Sequence, residues 1–214
     1  MHPVGTDSAL EDFSLAYRWD EVKSCCDNFS KEATLGQGSY GTVYKGVMPN
    51  GTEVACKVLN NPQDAGFLEE VNVLSRYRHP NLITLMGFSR GPGGERVLIY
   101  EYLCKGDFAQ CMASFNGYQR LSVLLDASLG LSQLHSMTPK AFHRDIKTPN
   151  ILISANGIAK ISDFGLSKVA RGSFQVTSTS GTIGYADPEY VRSGVVSEDS
   201  EVYSFGMVRF QIIN

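Results

Sequence analysis
The chain has 214 residues, 43% of them hydrophobic and 19% charged, with a formal net charge of −3. This is ordinary globular composition, long enough for one large domain or two small lobes, and it offers no global basic field for nucleic acid. No run of about 18 apolar residues occurs, so no transmembrane helix is expected, and the N-terminus lacks the apolar core of a secretion signal.

In chain order, residues 1–12 are polar. Residues 17–29 carry Trp19, Val22 and Cys26 at helical spacing and predict a short helix. Thr42–Met48 and Thr52–Leu59 are rich in β-branched residues and flank Pro49-Asn50-Gly51, a hairpin signal. A helix is predicted from Asp64 to Arg76, with Phe67, Val71 and Leu74 as its apolar stripe. Two further strands are expected at Leu82–Phe88 and Arg96–Tyr102. Beyond Gly106 the pattern turns helical, and Leu121, Leu124, Leu125, Leu131 and Leu134 predict a buried helix. Ile151–Ile153 and Ile158–Ile161 flank Asn156-Gly157 as a short hairpin, residues 166–182 read as a flexible Ser/Thr/Gly loop, and Val202–Ile213 as an apolar helix. A strand-rich part before a helix-rich part predicts two lobes with a cleft between them. Five cysteines (Cys25, Cys26, Cys56, Cys104 and Cys111) show no zinc-type spacing and predict free thiols in a reducing cytosol or nucleus.

Three segments carry chemistry. Gly36-Gln37-Gly38-Ser39-Tyr40-Gly41-Thr42-Val43 continues into a strand, not a helix, which argues against a dinucleotide-binding turn. A glycine-rich hairpin can instead lay backbone N–H groups over phosphates. Lys57 sits on the next strand and needs a counter-ion if buried. Glu70 borders the apolar stripe of the following helix and is chosen over Glu69. In His143-Arg144-Asp145-Ile146-Lys147-Thr148-Pro149-Asn150, Asp145 can accept a hydroxyl proton, Asn150 can offer an oxygen to a hard cation, and Lys147 can neutralise a transferring phosphoryl. Asp163-Phe164-Gly165 follows, with Asp163 a second candidate metal ligand.

Together these segments resemble the eukaryotic protein kinase family over roughly residues 30–210. The resemblance implies an α+β bilobal fold: an N-lobe antiparallel sheet plus one helix, and a mostly helical C-lobe lacking its last helices. The implied domains are an N-terminal extension (1–30), N-lobe (31–100), hinge (101–103) and partial C-lobe (104–214). It implies ATP and Mg²⁺ as cofactors, with Gly36, Gly38 and Gly41 covering the phosphates. Val43, Ala55 and Leu152 would hold the adenine, and Tyr100, Glu101 and Leu103 would form its hinge contacts. Lys57 would pair with Glu70, Asp145 would be the base, and Asn150 and Asp163 would hold the metal. His143, Phe164, Leu74 and Leu85 fall where the family stacks an apolar spine.

Lys147 is similar to the serine/threonine pattern, and Gly181-Thr182-Ile183-Gly184-Tyr185 with Asp187-Pro188-Glu189-Tyr190 resembles the receptor-like kinase, Pelle and interleukin-receptor-associated group. The implied partner is a protein with a Ser/Thr acceptor, in the cytoplasm. Arg144 is expected to meet a phosphate on the following loop, Thr177 to be the activating position, and Thr182 to bridge Asp145 and Lys147. Two departures support a second reading, a nucleotide-binding scaffold without turnover. Glu201 stands where the family has an aspartate, and its extra methylene is expected to displace the catalytic loop. The chain also stops at Asn214, before the family's remaining helices, so the expectation is either a fragment of a longer sequence or a partner that covers the apolar face of residues 202–213.

Overall fold
The computed structural model describes residues 15–38, 40–61 and 65–213. The polar stretch 1–12, Ser39 and the expected helix start at Asp64 lie outside them. In chain order the elements are α1 (Trp19–Cys25), β1 (Thr34–Gln37), β2 (Gly41–Val47), β3 (Glu53–Leu59), α2 (Ala65–Arg76), β4 (Leu85–Arg90) and β5 (Arg96–Glu101). There follow α3 (Phe108–Cys111), α4 (Gly117–Ser136), β6 (Lys140–Phe142), β7 (Ile151–Ile153), β8 (Ala159–Ile161), β9 (Lys168–Ala170), β10 (Phe174–Gln175), α5 (Pro188–Ser193), β11 (Val195–Val196) and α6 (Glu198–Ile213). They form two compact units, Met1–Gln63 with Met86–Glu101, and Asp64–Leu85 with Tyr102–Asn214.

The first unit is built on a five-stranded sheet of order β1-β2-β3-β5-β4. β2 and β3 pair antiparallel through a turn in which Met48 N–H donates to Thr52 O (2.9 Å) and Gly51 takes φ 83°. Side chains alternate between faces along each strand, and cross-strand partners share a face. Val54, Cys56, Val97 and Ile99 therefore face one way, where they pack with Val22 and Cys26 of the α1 segment. Trp19, Phe29 and Tyr44 close this cluster, stacked at 5.5 and 5.3 Å between successive ring centroids. The four-residue β1, with every residue exposed, is a strand the sequence did not announce; its pairing with β2 defines it.

In the second unit α2 buries Phe67, Val71 and Leu74, the stripe its spacing predicts. α4 begins with a reciprocal cap: Gln119 N–H donates to Asn116 Oδ1 and Asn116 N–H to Gln119 Oε1, each at 2.9 Å. Its leucines do not all go inside. Leu124, Leu131 and Leu134 are buried, whereas Leu121 and Leu125 are about 60% exposed, because only one side of the helix is packed among the described residues. Residues 82–84 are not the start of β4; Leu82 bridges to Ile161 and Ile83 N–H donates to Ile161 O (2.8 Å). The segment 166–182 is more ordered than a loop of small residues suggests: β9 pairs with β6, and β10 with β11. Phe142, Tyr190 and Val196 form a small core beneath it. Val202, Tyr203, Phe210 and Ile213 of α6 are exposed.

Candidate active site
The catalytic-loop residues converge in the second unit. Asp145 is 6% exposed, and both of its carboxylate oxygens are engaged. Thr182 Oγ1 donates to Oδ1 (2.7 Å), and Lys147 Nζ donates to Oδ2 (2.6 Å). Lys147 Nζ also donates to Thr182 Oγ1 (2.7 Å), which closes a triangle between two segments 35 residues apart. Asn150 Nδ2 donates to the carbonyl oxygen of Asp145 (2.9 Å) and to Oδ2 (3.2 Å). Those bonds use the amide's N–H donors, so its oxygen is the atom left to meet a cation.

The hairpin of β7 and β8 carries the second metal candidate to this loop. Ser162 N–H and Oγ–H both donate to the carbonyl of Asn150, at 2.8 and 3.1 Å, so Asp163 starts one residue beyond that anchor. Asp163 and Arg144 both take positive φ, 63° and 70°, which side chains seldom adopt. Such strain persists where surrounding bonds over-determine it. Here the bonds can be named: Phe164 N–H donates to buried Glu70 Oε1 (3.0 Å), and Phe164 packs edge-on against His143 at 4.7 Å. Glu69, by contrast, pairs with Lys168 at the surface.

Arg144 N–H donates to Glu201 Oε1 (2.6 Å), and the other oxygen of Glu201 lies 2.6 Å from His135 Nε2. Glu201 is 2% exposed. Where displacement of the loop was expected, Glu201 bonds it directly: one carboxylate holds both the loop backbone and the end of α4. His135 was not foreseen, although its place beside Leu134 on the buried face of α4 was a signal for it. The guanidinium of Arg144 donates to Leu166 O and Tyr190 OH, each at 3.1 Å, and Tyr190 OH accepts from Ser180 N–H (2.8 Å). Arg144 Nε is buried without a hydrogen-bond partner beside a cavity of about 20 Å³ lined by Tyr190, Ser200 and Ser204, room for one water. Thr177 lies exposed just beyond β10. Gln211, also unforeseen, accepts from Thr148 Oγ1 (3.1 Å) and bonds Tyr185 OH.

The first unit presents a second group. β-sheet register places Val43, Lys57 and Leu98 side by side, and Ala55 beside Tyr100, all on the face opposite Cys56. Lys57 is 9% exposed. Gly41 is required by packing, since a Cβ there would sit 2.3 Å from Val58 O; Gly36 and Gly38 meet nothing within 4 Å. Glu101 ends β5. Leu103 and Leu152 belong to the second unit, where Lys105 N–H donates to Ile153 O (3.3 Å) and Ile153 N–H to Gly106 O (2.9 Å). Glu70 likewise falls in the second unit and Lys57 in the first.

Residues 29–214 match the protein kinase domain. The chain belongs to the protein kinase family. Its kinase domain is 39% identical to the proline-rich receptor-like protein kinase PERK7 of Arabidopsis thaliana, over all of this chain and 32% of that protein. It is 40% identical to the receptor-like protein kinase ANXUR2 of the same plant, over 94% of this chain and 24% of that protein. A third relative, PERK3, is 38% identical over 99% of this chain and 43% of its own length. The chain thus spans between about a quarter and two fifths of the length of these relatives. Members of the family use ATP and a divalent metal ion. Among the described residues no helix is long and apolar enough to cross a membrane.

Proposed function
We propose that this kinase domain transfers the γ-phosphoryl group of ATP to Ser/Thr hydroxyls of protein substrates. The single observation that carries this reading is the Asp145–Lys147–Thr182 triangle with Asn150 against it. Asp145 accepts the proton of the incoming hydroxyl, and its geometry is fixed before substrate arrives. Lys147 offsets the negative charge that builds on the transferred group. Thr182 ties the substrate-side segment to the base. The oxygens of Asn150 and Asp163 are hard ligands suited to Mg²⁺, which would draw charge from the phosphate oxygens.

On the first unit, Gly36, Gly38 and Gly41 cover the phosphates, Lys57 neutralises them, and Val43 and Ala55 offer an apolar face to the adenine. Tyr100, Glu101 and Leu103 supply the hinge. A Cβ at Gly36 or Gly38 would meet nothing within 4 Å, so packing does not demand glycine there, which supports a role toward a ligand. The domains read as an N-terminal segment (1–30), N-lobe (31–100), hinge (101–103) and C-lobe residues (104–214). All five cysteines are free, in keeping with a cytoplasmic setting. The scaffold reading loses its argument from Glu201, because that residue braces the loop.

Incubation with Mg·ATP and a Ser/Thr/Tyr peptide library, followed by phosphoamino-acid analysis, tests the assignment. Label on serine and threonine is expected; label confined to tyrosine, or none with Mg²⁺ or Mn²⁺, overturns it. Phosphorylation of Thr177 is expected to engage Arg144, so Thr177→Ala lowers turnover. Equal turnover and an unchanged phosphopeptide map would remove Thr177 from the regulatory role.

A further inference from the structure
Three of the five cysteines, the adjacent Cys25 and Cys26 and the distant Cys56, meet in the first unit. Cys25 and Cys26 end the α1 segment, and Cys56 comes from the middle of β3. Their three sulfur atoms lie within 4.8 Å of one another, with Cys25 Sγ and Cys26 Sγ 3.6 Å apart. Cys26 and Cys56 are fully buried, and Cys25 is half-buried. Gly46 of β2 makes the space: a Cβ there would stand 2.9 Å from Cys26 Sγ and 3.0 Å from Cys25 Sγ. Val22, Val54, Val97 and Ile99 belong to the same buried cluster, and the Cys25 thiol donates to the carbonyl of Val22 (3.1 Å).

We propose that Cys25, Cys26 and Cys56 form a three-thiolate site for a thiophilic divalent cation, with Zn²⁺ as the fitting ion. Thiolate sulfur is the soft donor that selects zinc over magnesium or calcium. Zinc–sulfur bonds of about 2.3 Å in a tetrahedron put sulfurs about 3.8 Å apart. The observed spacing needs an inward shift of roughly one ångström at most to reach that value. The half-buried side of Cys25 is where a water completes the fourth position. Binding exchanges each thiol proton for a sulfur–zinc bond, with no redox change; the protons go to the buffer. The complex carries one net negative charge, and Cys25 keeps it next to solvent. Such an ion would pin the α1 segment to β3. It would act on the sheet face opposite Lys57, one residue away in sequence, and so is separate from the phosphotransfer site.

The test uses the whole chain, reduced until all five thiols titrate. Zn²⁺ affinity is read by competition with a chromophoric chelator, and Co²⁺ serves as the spectroscopic substitute. One ion per chain is expected, with a thiolate-to-cobalt charge-transfer band of three-sulfur intensity and tetrahedral d–d bands. The sole tryptophan, Trp19, packs against this cluster, so Co²⁺ should quench its emission. Cys25→Ser should weaken Zn²⁺ binding by more than about 100-fold, beyond the 10–100-fold typical of losing an outer-shell partner. Cys104→Ser, at an exposed thiol of the other unit, should leave it unchanged. Should Cys56→Ser fail to fold, Cys25→Ser and Gly46→Ala carry the test, because the latter keeps every thiol while crowding two of them. Zn²⁺ binding that Cys25→Ser leaves intact, or a cobalt complex without sulfur charge transfer, overturns the site.

Discussion

The first unit is organised by neighbours along the chain and across one sheet, whereas the second is organised by single polar side chains reaching across long sequence distances. Along β3, alternation alone sorts Val54 and Cys56 to one face and Ala55 and Lys57 to the other. In the second unit one carboxylate, Glu201, meets Arg144 and His135 across 57 and 66 residues. The difference teaches where each unit is vulnerable. A sheet distributes its stability over many pairs, but a loop held by one buried acid depends on that acid.

The largest effect should therefore follow from Glu201→Ala. It leaves the partly buried Arg144 N–H and the buried His135 Nε2 without their partner, at a cost of about 2–6 kcal/mol. Urea unfolding of the whole chain checks the stability, and hydrogen exchange at residues 143–150 checks the loop. A cost below 1 kcal/mol with unchanged loop protection would break the contrast between the units. The next effect is a paired one in the first unit. Gly41→Ala forces a Cβ to within 2.3 Å of Val58 O and should cost about 1–3 kcal/mol. Gly38→Ala has open space and should leave stability within about 0.5 kcal/mol while weakening ATP binding. Equal destabilisation by the two would mean that packing, not ligand contact, explains both glycines. Smallest is Asn116→Ala at the start of α4, which removes a reciprocal cap and should cost about 1 kcal/mol by the same unfolding measurement.

Much of this was legible beforehand, for a physical reason. The paired strands β2 and β3, the stripe of α2 and the β7–β8 hairpin follow from period and turn chemistry, which are local. The catalytic loop was legible because its roles require particular residue types a few positions apart. What was hidden depended on distant partners. His135 takes its meaning from Glu201 and Gln211 from Thr148, and neither pairing has a sequence period. The exposed Leu121 and Leu125 show the limit of composition: an apolar helix does not say how many of its sides are covered. Cys56 lies thirty positions from Cys26, so no spacing rule linked them, yet the sheet brings the two sulfurs together.

The role of Asp145 is tested most directly by the rate of γ-phosphoryl transfer from Mg·ATP, wild type against Asp145→Asn. The asparagine keeps a single acceptor oxygen, for Thr182 or for Lys147 but not for both, and is a far weaker proton acceptor. Transfer should fall on the order of 10²–10⁴-fold, with urea unfolding of the same variant checking that it is still folded at the assay condition. Undiminished transfer by Asp145→Asn would show that the carboxylate is not the base and that the triangle around it has another purpose.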